Sequence, residues 1–175
     1  DVSEVGGTNI EFVDADSLIV KSSVGETFDN MNVSEIDIEI TGALGDIAYT
    51  QTGNKDLSVA DLELPVDTFG LTTPDGNISV TTTGTGDITL DALVSADTTD
   101  DVVAFNSQNG SITDNVEADT ITAYALRLSA ETGAIGATDA IDTVISELSG
   151  DTNDGNFIVT NSGDLDITTV DGIAG

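Results

Sequence analysis

The sequence contains no histidine, no cysteine and no tryptophan, and only three basic residues stand against 33 acidic ones. Without His or Cys there is no zinc site of the Cys/His type, no thiol nucleophile and no His-assisted hydroxyl. Carboxylates are the only plausible catalytic or metal-binding groups left. The formal net charge of −30 over 175 residues repels nucleic-acid phosphate and acidic lipid headgroups alike. Nucleic acid and membrane insertion are therefore not expected, and cations are the natural small partners. No apolar run approaches the ~20 residues of a membrane-spanning helix. No signal peptide precedes Asp1 and the chain opens without an initiator Met, which predicts a processed or excised piece of a longer protein.

Apolar residues make up 38% of the chain, close to an ordinary globular protein, so one domain covering residues 1–175 with its own core is expected. One short phrase recurs along it: a Gly, then Asp, Asn or Ser, then alternating apolar and polar residues. It occurs as Gly45-Asp46-Ile47, Gly76-Asn77-Ile78, Gly86-Asp87-Ile88, Gly110-Ser111-Ile112, Gly155-Asn156-Phe157 and Gly163-Asp164-Leu165. Gly suits a corner of positive φ, and Asp, Asn or Ser can hydrogen-bond nearby backbone there. The residues that follow, such as Ile78/Val80 and Ile88/Leu90, alternate with Ser or Thr and predict short half-buried strands.

About fifteen such strands, parted by single corners rather than by two-residue hairpin turns, favour a parallel β-solenoid over a β-sandwich, the alternative. Residues 140–150 carry Ile141, Val144, Ile145 and Leu148 at helical spacing with Gly150 as a stop, yet the β-branched run Thr143-Val144-Ile145 favours a strand. The two ends of the chain also echo each other. Val2-Ser3-Glu4-Val5 matches Ile145-Ser146-Glu147-Leu148, Asn9-Ile10-Glu11-Phe12 matches Asn156-Phe157-Ile158-Val159, and Leu18-Ile19-Val20 matches Leu165-Asp166-Ile167. On that reading the chain spans slightly more than one long repeat.

The run Gly76-Asn77-Ile78-Ser79-Val80-Thr81-Thr82-Thr83-Gly84-Thr85-Gly86-Asp87-Ile88-Thr89-Leu90 resembles the repeats of large bacterial exoproteins of the filamentous haemagglutinin type. So does Leu126–Gly136, followed by Ala140-Ile141-Asp142-Thr143. The resemblance implies a right-handed parallel β-helix, secreted and then displayed or released as an adhesin or matrix component.

Acid clusters are the constellations to test for chemistry. Asp97, Asp100 and Asp101, together with Asp151 and Asp154, are the candidate calcium ligands, and Asp14 and Asp16 form a third group. Calcium takes six to eight oxygens, and acids two or three apart on a corner could supply part of such a shell. The simpler reading is that acids this numerous serve solubility, and neither an EF-hand loop nor a calcium-binding nonapeptide is present. Paired carboxylates could also cleave glycans, but Lys21, Lys55 and Arg127 lie far apart and the aromatics number only seven, so a non-enzymatic role is expected. Phe12, Tyr49, Phe105 and Phe157 are read as core residues rather than as a sugar-binding stripe. Gly133-Ala134-Ile135-Gly136 lacks the Lys of a phosphate loop and is read as a corner.

These readings combine into a rigid, acid-coated rod at the bacterial surface or outside the cell, for adhesion or for building a surface layer or matrix. A stack of parallel strands exposes unpaired edges at both ends. Neighbouring repeats or other copies of the chain, end to end, are the expected partners, with a surface glycan or protein as a further one. The alternative function is a calcium-dependent β-sandwich repeat of a large adhesin.

Overall fold

A computed structural model describes residues 9–11, 14–62, 68–116, 120–153 and 155–170. Its described residues contain eighteen strands and no helix. The first sheet takes β1 (Asn9–Glu11), β3 (Glu26–Met31), β5 (Ile47–Gln51), β8 (Ile78–Thr82), β11 (Val102–Ser107), β14 (Ala125–Ala130), β16 (Glu147–Thr152) and β18 (Asp166–Ile167), in that spatial order. The second takes β2 (Ser17–Ser22), β4 (Glu35–Ile40), β6 (Leu57–Val59), β7 (Phe69–Thr72), β9 (Ile88–Leu90), β10 (Leu93–Ser95), β12 (Ile112–Asp114), β13 (Ile121–Thr122), β15 (Ile141–Val144) and β17 (Val159–Asn161). Every strand pair among them is parallel. The antiparallel hairpins on which a β-sandwich depends are not found among the described residues.

The second sheet forks at β4. Strand β2 runs along the whole of one edge of β4, from Ser17 opposite Glu35 to Ser22 opposite Ile40. The other edge is shared end to end, with β6 against Glu35 and Ile36 and β7 against Ile38 and Glu39. One arm then continues through β9 and β12 to single bridges at Ile135 and Phe157, and the other through β10, β13, β15 and β17. Residues brought together by stacking are 18 apart between β2 and β4, 31 apart at Asp46 and Asn77, 25 at Asn77 and Val102, and 23 at Ser111 and Ala134.

The core is a set of columns of like residues, because parallel in-register pairing places each inward side chain over its counterpart on the next strand. In the first sheet Ile47, Ile78, Val103, Leu126 and Leu148 form one column and Phe28, Tyr49, Val80, Phe105 and Leu128 another. In the second, Leu57, Ile88, Ile112 and Ile135 lie in register, as do Ile38, Leu71, Val94 and Ile121. All of these are buried, each contributing about 1.5–3 kcal/mol of transfer free energy. Tyr49 keeps its hydroxyl satisfied inside by donating to Gln51 Oε1 at 2.8 Å, and its burial pushes the phenol far above its ordinary range. Phe105 and Tyr49 are core residues as expected and Phe157 packs against the core half-buried, while Phe12 lies outside the described residues.

Residues 140–150 are β-structure. Ile141, Thr143 and Ile145 point inward in β15 and just past it, Val144 points outward, and Leu148 lies inward in β16. Gly150 is therefore no helix stop but a mid-strand residue opposite Leu128, where a Cβ would collide with the Phe157 ring. Of the echo between the chain ends, Val2–Val5 and Phe12 lie outside the described residues, and the other matched segments occupy different sheets. Asn9–Glu11 lies in the first sheet, whereas Phe157 and Val159 belong to the second; Leu18–Val20 lies in the second, whereas Asp166–Ile167 lies in the first.

Candidate functional site

The repeated Gly-Asx phrase builds two stacked corners. Gly45-Asp46 sits against Gly76-Asn77 at the entry to the first sheet, and Gly86-Asp87, Gly110-Ser111, Gly133-Ala134 and Gly155-Asn156 follow one another at the entry to the β9 arm. At each step up to Ala134 the corner side chain accepts the backbone N–H of its successor. Asn77 N–H donates to Asp46 Oδ1 at 2.7 Å and Val102 N–H to Asn77 Oδ1 at 2.9 Å. Asp87 N–H donates to Asp56 Oδ1 at 3.1 Å, Ser111 N–H to Asp87 Oδ1 at 2.7 Å and Ala134 N–H to Ser111 Oγ at 3.2 Å. Short oxygen-bearing side chains are needed there because each corner N–H would otherwise lack a partner.

The glycines serve a different purpose from the one expected. Among the described glycines only Gly76, Gly136 and Gly163 have positive φ. The rest of the stacked set is glycine because a Cβ on Gly110, Gly133 or Gly155 would strike the carbonyl oxygen of the glycine beneath it, and one on Gly86 would strike that of Lys55. Close backbone approach, not the sense of the turn, selects the residue.

The candidate calcium ligands are placed unevenly. Asp101 is only 6% exposed, and its Oδ2 accepts the N–H of Gly76 at 2.8 Å and of Asp97 at 3.2 Å, so it clips one strand level to the next. Asp97 Oδ1 accepts both the backbone N–H and the hydroxyl of Thr99, and these bonds hold its carboxyl below the usual range. Asp100 is exposed beside them. Asp75, across the corner, has its carboxyl pushed up by desolvation and then by the charges of Asp101, Asp100 and Asp97, which brings four acids into one neighbourhood. Asp151 is exposed near the end of β16, opposite Ser129 and remote from that corner in register, and Asp154 lies outside the described residues. Asp14 accepts from Lys55 Nζ at 3.1 Å and from Asn32 Nδ2 at 3.0 Å. Among the described residues no three acids converge in a way that could hold a metal ion.

Three groups that the sequence did not single out carry much of the local electrostatics. Asp114 is 1% exposed and accepts from the Thr120 hydroxyl at 2.7 Å, Val116 N–H at 2.9 Å and Asp142 N–H at 3.2 Å. Burial pushes its carboxyl above the ordinary range against the pull of those bonds. Glu26 is buried with one oxygen bonded to the Ser22 hydroxyl at 2.6 Å and the other without a partner. Tyr124 donates to Glu147 Oε1 at 2.9 Å, and that bond, the Glu147 charge, desolvation and Asp166 together raise its phenol.

An apolar opening lies at the far end of the stack. A groove of about 340 Å³ is lined by Leu148, Gly150, Phe157, Val159, Leu165 and Ile167. Ile158 and Ile167 are 41% and 62% exposed beside it. Compared with known proteins, the chain matches no family model, no curated protein and no solved structure.

Proposed function

We propose that the chain is a segment of a right-handed parallel β-helix whose work is mechanical. It forms a rigid, acid-coated rod within a large extracellular bacterial surface protein, used for adhesion or for building a surface layer or matrix. The observation that carries this reading is the parallel register, which runs from β1 to β18 with like residues stacked in the core and Gly-Asx corners stacked outside it. A coil that turns and continues needs both features, and the wording of residues 76–90 resembles that of filamentous haemagglutinin repeats.

The rod's outer face is dominated by Thr, Ser and Asp, and Lys21–Glu39 and Lys55–Asp14 are ion pairs on it. Its ends are where further structure attaches: neighbouring repeats of a longer chain, or other copies, extend the ladder beyond β17 and β18. A surface glycan or protein is the further partner in adhesion. Solution scattering and electron microscopy test the reading. An elongated particle one coil wide, with an axial repeat of about 4.8 Å in any fibre it forms, is the expected result. A compact, isometric particle overturns it.

A further inference from the structure

Positive charge is distributed unequally along the stack. The ion pairs Lys21–Glu39 and Lys55–Asp14 lie at the first strands, and Arg127 in β14 is the last base of the chain. Nine acids and no base follow it. In the last strands carboxylates face one another in register: Glu147 of β16, just before the buried Leu148, is the direct partner of Asp166 of β18, just before the exposed Ile167, and the Tyr124 hydroxyl already donates to Glu147. The bases nearest this pair reduce to Arg127, two residues along β14 from Ala125, the strand partner of Glu147. Like charges directly opposite on neighbouring strands oppose pairing.

Little apolar burial offsets that repulsion. Strand β18 is two residues long and exposed at both, β17 is at best half-buried, and Gly150 contributes no side chain to the column it occupies. The bonds that hold this edge include Asp166 N–H to Ser146 O at 2.9 Å, Thr168 N–H to Leu148 O at 3.0 Å and Ser162 N–H to Thr143 O at 2.8 Å, together with those of the Asn161 side chain to Thr143 and Ile145.

We propose that strands β17 and β18 are an ionic-strength gate: dissolved cations, acting as a screening atmosphere rather than at a fixed site, seat them on β15 and β16, and in dilute salt they lift and bare the edges of β15 and β16. The acids are spread over three strands, Asp142 on β15, Glu147 and Asp151 on β16 and Asp166 on β18, so the field to be neutralised is diffuse. Screening acts on such a field directly, since the Debye length falls from ~30 Å at about 0.01 M salt to ~3 Å at about 1 M. An extracellular rod of this kind would cover its edge in saline surroundings and open it in fresh water. The gate stands whether or not the rod serves adhesion.

Backbone hydrogen exchange at one fixed pH tests it, comparing the amides of Ser162, Asp166 and Thr168 with those of Thr83, Ile88 and Gln108 in the middle of the stack. Between about 10 mM and about 1 M sodium chloride the end amides should gain at least ~10-fold in protection, and the central ones clearly less. Choline chloride should act as well as sodium chloride. The double variant Glu147→Gln/Asp166→Asn should be better protected at low salt and respond less to added salt, with the central amides unchanged. Equal salt responses at the end and in the middle overturn the gate. So does an effect that requires sodium or micromolar calcium, because a bound ion would then seat the strands.

Discussion

The middle of the stack and its last strands are made by the same rule with different materials. In β5, β8, β11 and β14 two inward columns carry large apolar side chains that are fully buried, a third carries the equally buried Gln51, Thr82, Ser107 and Ala130, and each strand is paired on both sides over most of its length. In β16, β17 and β18 the pairing continues, but Gly150 occupies a core position and is covered by the Phe157 ring arriving from the other sheet. The corner ladder changes too: after Ser111 the acceptor is lost at Ala134, and Asn161 takes over near the end by accepting from Ile145 N–H and the Thr143 hydroxyl. Continuous register is thus compatible with very uneven stability, because each level is only as firm as the side chains it adds to the columns.

The largest contrast should come from the aromatic residues of the two regions. Phe105 is fully buried between Val80 and Leu128, and Phe105→Ala should cost about 3–5 kcal/mol in urea unfolding, with a cavity as part of the cost. Phe157→Ala removes a half-buried ring beside an open groove and should cost no more than about 2 kcal/mol. Equal losses at the two sites would mean that the end is packed as firmly as the middle, and the comparison would collapse.

Glycine substitutions divide the regions next. A Cβ at Gly110 meets the carbonyl oxygen of Gly86, which belongs to stacked backbone and cannot swing aside. Gly110→Ala should therefore cost about 2 kcal/mol or more through overpacking. Gly163 has nothing within 4 Å of a new Cβ and differs only in its φ of +140°, so Gly163→Ala should cost about 1 kcal/mol of backbone strain. Thermal melting of both variants is enough to rank them.

Much of this was readable beforehand, and the rest failed for one physical reason. Alternation along Ile47–Gln51, Ile78–Thr82 and Ile88–Leu90 is local, so strands and inward residues followed directly from it. The positions of the corner glycines were legible as well, but their cause was not, because the atom that excludes a side chain at Gly110 belongs to Gly86, on the neighbouring level. Asp101 was placed with Asp97 and Asp100 by its spacing, yet a main bond of its carboxylate goes to Gly76, 25 residues away. Since stacked partners recur at 18, 31, 25 and 23 residues, no fixed offset reveals who meets whom. The echoing residues Asn9 and Ile10 on one side and Phe157 on the other likewise lie in different sheets although their wording is alike.

Corner acids give a smaller contrast. Asp87→Ala leaves the Ser111 N–H, now bonded at 2.7 Å, without its partner, and should cost about 1 kcal/mol or somewhat more. Asp164 follows the same Gly-Asx wording but sits on the exposed approach to β18, so Asp164→Ala should stay within about 0.5 kcal/mol of wild type. A loss at Asp164 matching that at Asp87 would show that the end corner carries a ladder like the one in the middle.

The smallest expected effect is a slope with pH, and it separates a buried acid of the stack from a half-buried one at its corner. Asp114 has its folded-state carboxyl raised by burial, so the folded chain holds that proton more tightly than the unfolded chain does. Its contribution is complete below the ordinary carboxylate value and is lost as pH rises through the raised one. The Thr120, Val116 and Asp142 bonds favour the ionised form and keep the effect modest. Asp97 runs the other way, because its Thr99 bonds lower its carboxyl; its contribution is present above the ordinary value and is lost as pH falls through the lowered one. Melting temperatures followed from about pH 3 to about pH 7 in high salt, where mutual repulsion among the other acids is screened, should therefore show Asp114→Asn declining less with rising pH than wild type. Asp97→Asn should fall off less on the acid side. If Asp114→Asn keeps the wild-type slope, burial at β12 is not coupled to stability, and the interior and the corner are no longer distinguished by how they hold a proton.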